Sequence, residues 1–343
     1  MSDDTSPKEK RSSPTRVRPE LKDCFSEGYL AIASPVTLAE ACFAVPAVRA
    51  LRNSCPQATL ILFCPESMKA LWETVPEVDD IQTFPDGGSH RKVSAVLREL
   101  PVEFDASIAW EESAISISFS KSEIPRRFGP EEEPILRWLT DPVQVKEEPG
   151  PIKHRVRHYL MTVEKLGVPG FLPANFAVPP RPEQPEKPRV LLVPGSDFGP
   201  SAEWSMGRFV TIAQAIIDND SHELFILPCP DHAGPAHKLA SYLTGRFKVF
   251  EEDLTDTLEL LATSEALIGC DGSVPHLAAH VGTQCITIFG PNEPEWKRPL
   301  GKIHQSLREQ VPCSPCLLSR CPLDRRCQKA VTVQDVLDAL NAR

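Results

Sequence analysis

The residues best equipped for chemistry lie in segment 266–291, ALIGCDGSVPHLAAHVGTQCITIFGP. An apolar run ends at Gly269. Asp271, Gly272 and Ser273 then form a tight turn, and Pro275 falls near the first position of a helix, where its missing N–H is no loss. The free N–H groups of Gly272, Ser273 and Val274 would sit at the positive end of that helix, an arrangement that suits a diphosphate. Gly272 lets the backbone come close, and His276, in the first turn, can donate to the same anion. A plain capped helix, with Asp271 or Ser273 as the N-cap and His276 on the surface, accounts for the same residues.

A second segment, 193–209, reads VPGSDFGPSAEWSMGRF. Pro194, Gly195 and Ser196 follow an apolar run directly, Gly199 and Pro200 make another turn, and Trp204 can pack beneath it. Two glycine turns at neighbouring strand ends would wall one pocket; a loop without a ligand would look the same. The third cluster is Cys313-x2-Cys316-x4-Cys321-x5-Cys327, a spacing that could bring four thiolates to a zinc ion. We read it instead as reduced cysteines, or labile disulfides, in a compact Cys-rich loop at 313–327, and expect no metal site.

The elements that must position these loops alternate along the chain. Strands are expected at 29–33, 58–63, 81–84 and 104–109, and helices at 38–54, 68–75, 91–100 and 153–166. Pro46 should kink the helix over 38–54 or mark a late restart. After 104–109 the sequence turns irregular and acidic, with EEEP at 131–134, until the helix at 153–166. Gly167 suits a helix end. Residues 171–188, dense in proline, form a semi-rigid spacer and the boundary between a domain at 21–170 and one at 189–343. After it, strands are expected at 189–193, 224–227, 248–250, 266–269 and 285–289, with helices at 207–217, 234–243, 255–263, 275–281 and 333–341. This alternation predicts an α/β fold: two Rossmann-like, doubly wound parallel-sheet domains facing a cleft. Ligands bind there, at the carboxyl ends of the strands.

Composition sets the class. A length of 343 residues suits two domains, each able to bury a core. The net charge of −10 argues against a nucleic-acid partner. Residues 1–20 are polar and lack the apolar core of a secretory signal, so they read as a disordered tail. No run reaches the ~18 apolar residues of a membrane span. The expectation is a cytoplasmic protein whose eleven cysteines are mostly reduced. A dinucleotide-binding dehydrogenase is set aside, because ASPVTLAE follows the first strand where G-x-G-x-x-G would be needed.

Five motifs in order resemble glycosyltransferase family 9, the ADP-heptose:lipopolysaccharide heptosyltransferase family. DGSVPHLAAHVGTQCITIFGP is similar to the family's DSGPMHLAAALGTPVVALFGP, PGSDFGPSAEW to its PGAxFGPAKRW, and LAEACFAVPAVRALR to its LGDxxLxxPAxRALR. HRVRHYLMTVEKLGVP also looks like the family's HRVEHYL–LGLP stretch, and FDASIAW with RRFGP looks like its YDLxIDL and RRIGF. The likeness runs from about Tyr29 to Leu340. It implies a GT-B fold, an ADP-linked sugar donor used as co-substrate with no cofactor, inversion at the anomeric carbon and no metal in catalysis.

The resemblance also implies site residues. The family's catalytic aspartate falls on Glu40, one C–C bond longer, and the glycine before it on Ala39. A solvated carboxylate favoured by a helix start is the plainer account of Glu40. Asp271, Gly272, Ser273, Val274 and His276 would hold the donor, with Gly195 and Ser196 bordering its phosphates. The basic residue usual after the first strand is Ser34, and the family's phosphate-neutralising lysine and arginine fall on Ala202 and Glu203. Losing that lysine removes a Coulomb attraction of about 4 kcal/mol at 4 Å in an effective dielectric of 20. Arg208, Lys297 or Arg298 could substitute. Two functions follow. One is transfer of a heptose or related sugar to a lipid-linked or core oligosaccharide acceptor at the inner face of the inner membrane, with at most peripheral membrane contact. The other is a catalytically weakened relative that binds a nucleotide sugar as a sensor or scaffold.

Overall fold

The computed structural model describes residues 27–145, 150–230 and 232–342; the tail expected at 1–20 lies outside them. A first sheet collects β1 (Gly28–Ala33), β2 (Ala58–Pro65), β3 (Asp80–Phe84), β4 (Ala106–Ile108), β5 (Arg126–Pro130) and β6 (Asp141–Val143). A second collects β7 (Arg189–Val193), β8 (Glu223–Ile226), β9 (Lys248–Val249), β10 (Ala266–Cys270), β11 (Gln284–Ile288) and β12 (Gln305–Leu307). Each sheet is six-stranded, in the orders β3-β2-β1-β4-β5-β6 and β12-β11-β10-β7-β8-β9. The pairings are parallel throughout. The helices between and after the strands are α1 (Leu38–Ser54), α2 (Lys69–Glu73), α3 (His90–Glu99), α4 (Ala114–Lys121), α5 (Val156–Glu164), α6 (Met206–Asn219), α7 (Gly234–Ala240), α8 (Leu254–Ala262), α9 (Ser273–His280), α10 (Pro294–Lys297), α11 (Arg326–Ala330) and α12 (Val333–Asn341).

This is the expected α/β, GT-B-type architecture. Central strands such as β10, buried at every residue, read as continuous apolar runs because helices cover both faces of the sheet. In each sheet the chain starts at the centre, steps outward, returns and steps the other way. The reversal opens a crevice beyond the carboxyl ends of β1 and β4 in one sheet, and of β7 and β10 in the other.

Helix α1 is the pivot. It is buried without a break from Ala41 to Leu51, so it has no solvent face. Ala41, Ala44, Ala47 and Ala50 recur every third residue and let neighbours approach closely. One neighbour is α5; another is α9, which belongs to the second sheet. The helix is continuous across Pro46, so the restart weighed for that position does not occur. The pyrrolidine forfeits one helical hydrogen bond, and Pro46 lines a small cavity together with Phe43 and His276.

The structure also departs from the sequence reading in stretches expected to be irregular or a spacer, and adds α10, α11 and β12, which were not predicted. The stretch between 109 and 153, expected to be irregular, contains α4, β5, a 3-10 turn at Ile135–Trp138 and β6. Helix α4, AISISFSK, alternates in a strand-like way, but a capping box between Ser113 and Ser116 starts it and Ile115 and Phe119 bury its inner face. Strand β5, RRFGP, carries a glycine and a proline that argue against a strand in isolation. The proline-rich stretch at 171–188 carries a 3-10 turn, Pro173–Phe176, and is tied to α1. Asn175 is fully buried and bonds Asn53 at 3.0 Å, and the Arg49 guanidinium donates to the Ala177 carbonyl.

The two halves meet through aromatic and imidazole rings. His276 of α9 stands edge-on to Phe43 of α1, 4.7 Å between centroids, and His280 Nε2 lies 2.6 Å from Thr74 Oγ1. Burial, helped by the Arg49 charge, pushes His280 down to about 4 from its ordinary 6.5. A depressed imidazole contributes stability that is present above pH 6.5 and lost as the pH falls towards 4, because the unfolded chain takes up the proton first. We predict that His280→Gln, which keeps a partner for Thr74, flattens this acid-side loss without abolishing it. Urea unfolding across that window tests this; an unchanged slope would show that His280 does not report on the interface.

Candidate active site

The two loops singled out in the sequence leave β7 and β10, adjacent strands at the reversal of the second sheet. Ser196 ties them together: it is buried, and its hydroxyl donates to the Asp271 carbonyl at 2.5 Å. Gly195 faces His232 and Pro235. Trp204 is buried beneath the first loop, with its ring N–H on the Val331 carbonyl at 3.0 Å.

The start of α9 differs from the open anion site expected there. Asp197 Oδ1 accepts the Ser273 N–H at 3.0 Å, and the Ser273 hydroxyl also donates to Asp197. A carboxylate of the chain itself therefore occupies part of the helix terminus. Gly272 makes this possible: a Cβ there would stand 2.6 Å from Asp197 Oδ1. Val274 is buried at the edge of a neighbouring cavity. His276 is buried, and its Nδ1 has no hydrogen-bond partner among the described residues. Burial, then His154 and Lys297 nearby, push it down to about 3, so it is neutral. Asp271 is buried as well; burial raises it to about 6, against the opposing pull of an Asn292 hydrogen bond and the Lys297 charge.

Across the gap, Glu40 sits in the first turn of α1, which Thr37 caps. Its carboxylate is held by Arg155 Nε at 3.0 Å and by the Tyr159 hydroxyl at 2.5 Å, with Lys297 Nζ 4.0 Å away. Burial, and then Glu40 itself, keep the Tyr159 phenol protonated and able to donate. Glu111, beyond β4, accepts the Val36 N–H at 2.9 Å; burial raises its carboxyl, and the Glu40 charge adds to that. Sequence reasoning gave no role to Asp197, Arg155, Tyr159, Glu111 or Asn292. Arg155 and Tyr159 had a legible signal, since residues four apart on a helix share a face. Lys297 was considered only as a substitute cation.

The gap opens into cavities of about 520 and 480 Å3. The larger has apolar walls from Cys229, Phe250, Leu254 and Leu277, with Glu251 and Glu252 at its edge. The other is bounded by Thr37 and Leu38 of the first half and by Asp197 and Ser273 of the second. A third, of about 260 Å3, lies on the Arg155 side, lined by Lys153, Arg157 and Trp296 among others.

Ala202 is fully buried, and Glu203 bonds His232 at 2.9 Å. Cys313, Cys316 and Cys321 are half-buried and Cys327 is buried; all four are free thiols. Among the described residues, no three His, Cys, Asp or Glu side chains gather in a way that could hold a metal ion.

Residues 140–326 match the model of glycosyltransferase family 9 (heptosyltransferase). The chain is 24% identical over 288 residues to lipopolysaccharide heptosyltransferase 2 of Escherichia coli (strain K12), covering 74% of this chain and 80% of that one. The solved structure of E. coli ADP-heptose lps heptosyltransferase II superposes with a TM-score of 0.74 at 18% identity, over 92% of this chain and 98% of the other. That of E. coli heptosyltransferase WaaC with ADP gives 0.65 at 14%, over 92% and 99%. At these identities the structures speak for the fold.

The raised carboxyl of Asp271 gives a test of its setting. An aspartate held near 6, above its ordinary 3.8, contributes stability that is present below 3.8 and lost as the pH rises through 6. We predict that Asp271→Asn unfolds at higher urea than the parent above pH 6, and that this advantage narrows as the pH falls towards 4. An advantage independent of pH would contradict it.

Proposed function

The chain belongs to glycosyltransferase family 9, and from that premise we propose that it moves a heptose or related sugar from an ADP-linked donor to a lipopolysaccharide-core-like acceptor, with inversion at the anomeric carbon and without a metal ion. The observation that carries this reading is the meeting of the two strand-end crevices. Thr37 and Leu38 at the start of α1 border one cavity with Asp197 and Ser273 of the second half, and Glu40, in the same first turn, lies 4.0 Å from Lys297 of that half, so a base from one half can work on a donor held by the other.

In this reading the adenine lies against the Phe250, Leu254 and Leu277 wall, and Glu251 or Glu252 accepts from ribose hydroxyls. The diphosphate reaches the Gly272, Ser273 and Val274 N–H groups at the start of α9, displacing Asp197 from Ser273. Gly195 and Ser196 shape the adjoining wall. Asp271 fixes the turn, and the unpartnered Nδ1 leaves His276 available as a further contact. Glu40 takes the proton of the acceptor hydroxyl while that oxygen attacks the anomeric carbon. The bond to the diphosphate breaks, and its electron pair leaves with ADP. The acceptor comes from the side of the first sheet. A lipid-linked acceptor would place the reaction at the inner face of the membrane with peripheral contact; no helix among the described residues is long and apolar enough to cross a membrane.

A second reading, a nucleotide-sugar binder without turnover, draws on one observation. Asp197 already occupies Ser273, and Ala202 and Glu203 bring no positive charge to it.

The test measures ADP release from ADP-heptose with a heptose-lipid acceptor, alongside thermal stability with and without ADP. We predict acceptor-dependent release, and a fall in kcat of about 10²–10⁴-fold for Glu40→Gln. ADP at a hundred times its Kd should add about 2.7 kcal/mol of stability. Stabilisation without release selects the binder, and the absence of both overturns the donor site.

A further inference from the structure

A departing diphosphate carries negative charge into a gap that already holds Asp197, Asp271, Glu40 and Glu111. The loop after β7 offers it no cation. Ala202 is buried, with its N–H on the Gly199 carbonyl and its own carbonyl on Gln328 Nε2 at 2.7 Å. Glu203 is turned to His232. The Arg208 guanidinium is spent on the carbonyls of Gln328, Lys329 and Val331. Arg298 is more than half exposed and lies 3.9 Å from Glu295.

A cation does come from the opposite side of β10. In the second sheet β10 lies between β7 and β11, and α10 follows β11. Helix α10 ends in Lys297. It is anchored to the first half at two points: the Arg155 N–H donates to the Trp296 carbonyl at 2.8 Å, and His154 Nε2 lies 2.8 Å from the Arg298 carbonyl. The ammonium rests over the Trp296 ring, 4.8 Å from its centroid, and 4.0 Å from Glu40 Oε1. Its charge is also felt by Asp271 and His276, so one flexible side chain stands within range of both the proposed base and the proposed donor loop.

We propose that Lys297 neutralises the leaving diphosphate, taking the part that a cation on the β7 loop would otherwise play. This rests on the donor reading above. As the bond from the anomeric carbon breaks, its electron pair moves to the diphosphate oxygen. The ammonium holds that charge without giving up its proton, and the acceptor's proton goes to Glu40. Until a donor arrives, the same ammonium is balanced by Glu40.

The test uses the full chain with Lys297→Met, which keeps the length and loses the charge, and Lys297→Arg, which keeps the charge. Lys297→Gln serves where the methionine variant does not fold. Calorimetric titration compares ADP with adenosine. Loss of the charge should weaken ADP binding by about tenfold or more while leaving adenosine within about twofold. In the release assay kcat should fall by about 10²–10³-fold, with the acceptor KM little changed and activity recovered by Lys297→Arg. Equal losses for ADP and adenosine, or ADP binding and kcat both unaltered, overturn the assignment and leave the donor reading standing. If the unmodified chain does not bind ADP, the donor reading falls and this assignment with it.

Discussion

A helix without a solvent face is the constraint on which the cleft depends. Because α1 is buried from Ala41 to Leu51, it must be enclosed by its own sheet, by α5 and by α9 of the other half. A helix buried on every side must be walled by neighbours rather than face water. Its first turn presents Glu40, its middle packs against His276, and its last turns anchor the connecting stretch through Arg49 and Asn53. The packing that holds the halves together also sets where the carboxylate stands.

Charge is the second organising feature. The gap gathers several carboxylates in a chain that is already acidic, and each has a partner. Glu40 has Arg155 and Tyr159, Asp197 has Ser273, Asp271 has Asn292, and Glu111 has the Val36 N–H. Burying a carboxylate without such partners would be far costlier. The helix start that reads as an empty anion site is thus satisfied from within, and any phosphate placed there would compete with a side chain as well as with water.

Much of this was legible in the sequence, for identifiable reasons. Strand–turn–helix punctuation exposed the loops after β7 and β10, and regular alternation exposed the paired sheets. The pairing of Glu40 with Arg155 and Tyr159 was not legible, because 115 residues and a change of element separate Glu40 from Arg155. Asp197 was hidden similarly: its role depends on Gly272, 75 positions on, leaving room for it. Helix α4 was obscured by alternating serines whose capping role overrides their strand-like rhythm. Strands β6 and β12, three residues each, are too short to carry a period of their own.

The seating of Glu40 on α1 has a mechanical consequence. The helix that bears the carboxylate is also the surface on which the two halves rest, through Phe43 against His276 and its packing on α9. Any parting of the two halves would slide that bearing and carry the carboxylate with it. Aperture and alignment therefore share one degree of freedom. A substitution that loosens the bearing would shift Glu40 relative to the start of α9, even from a position far from both.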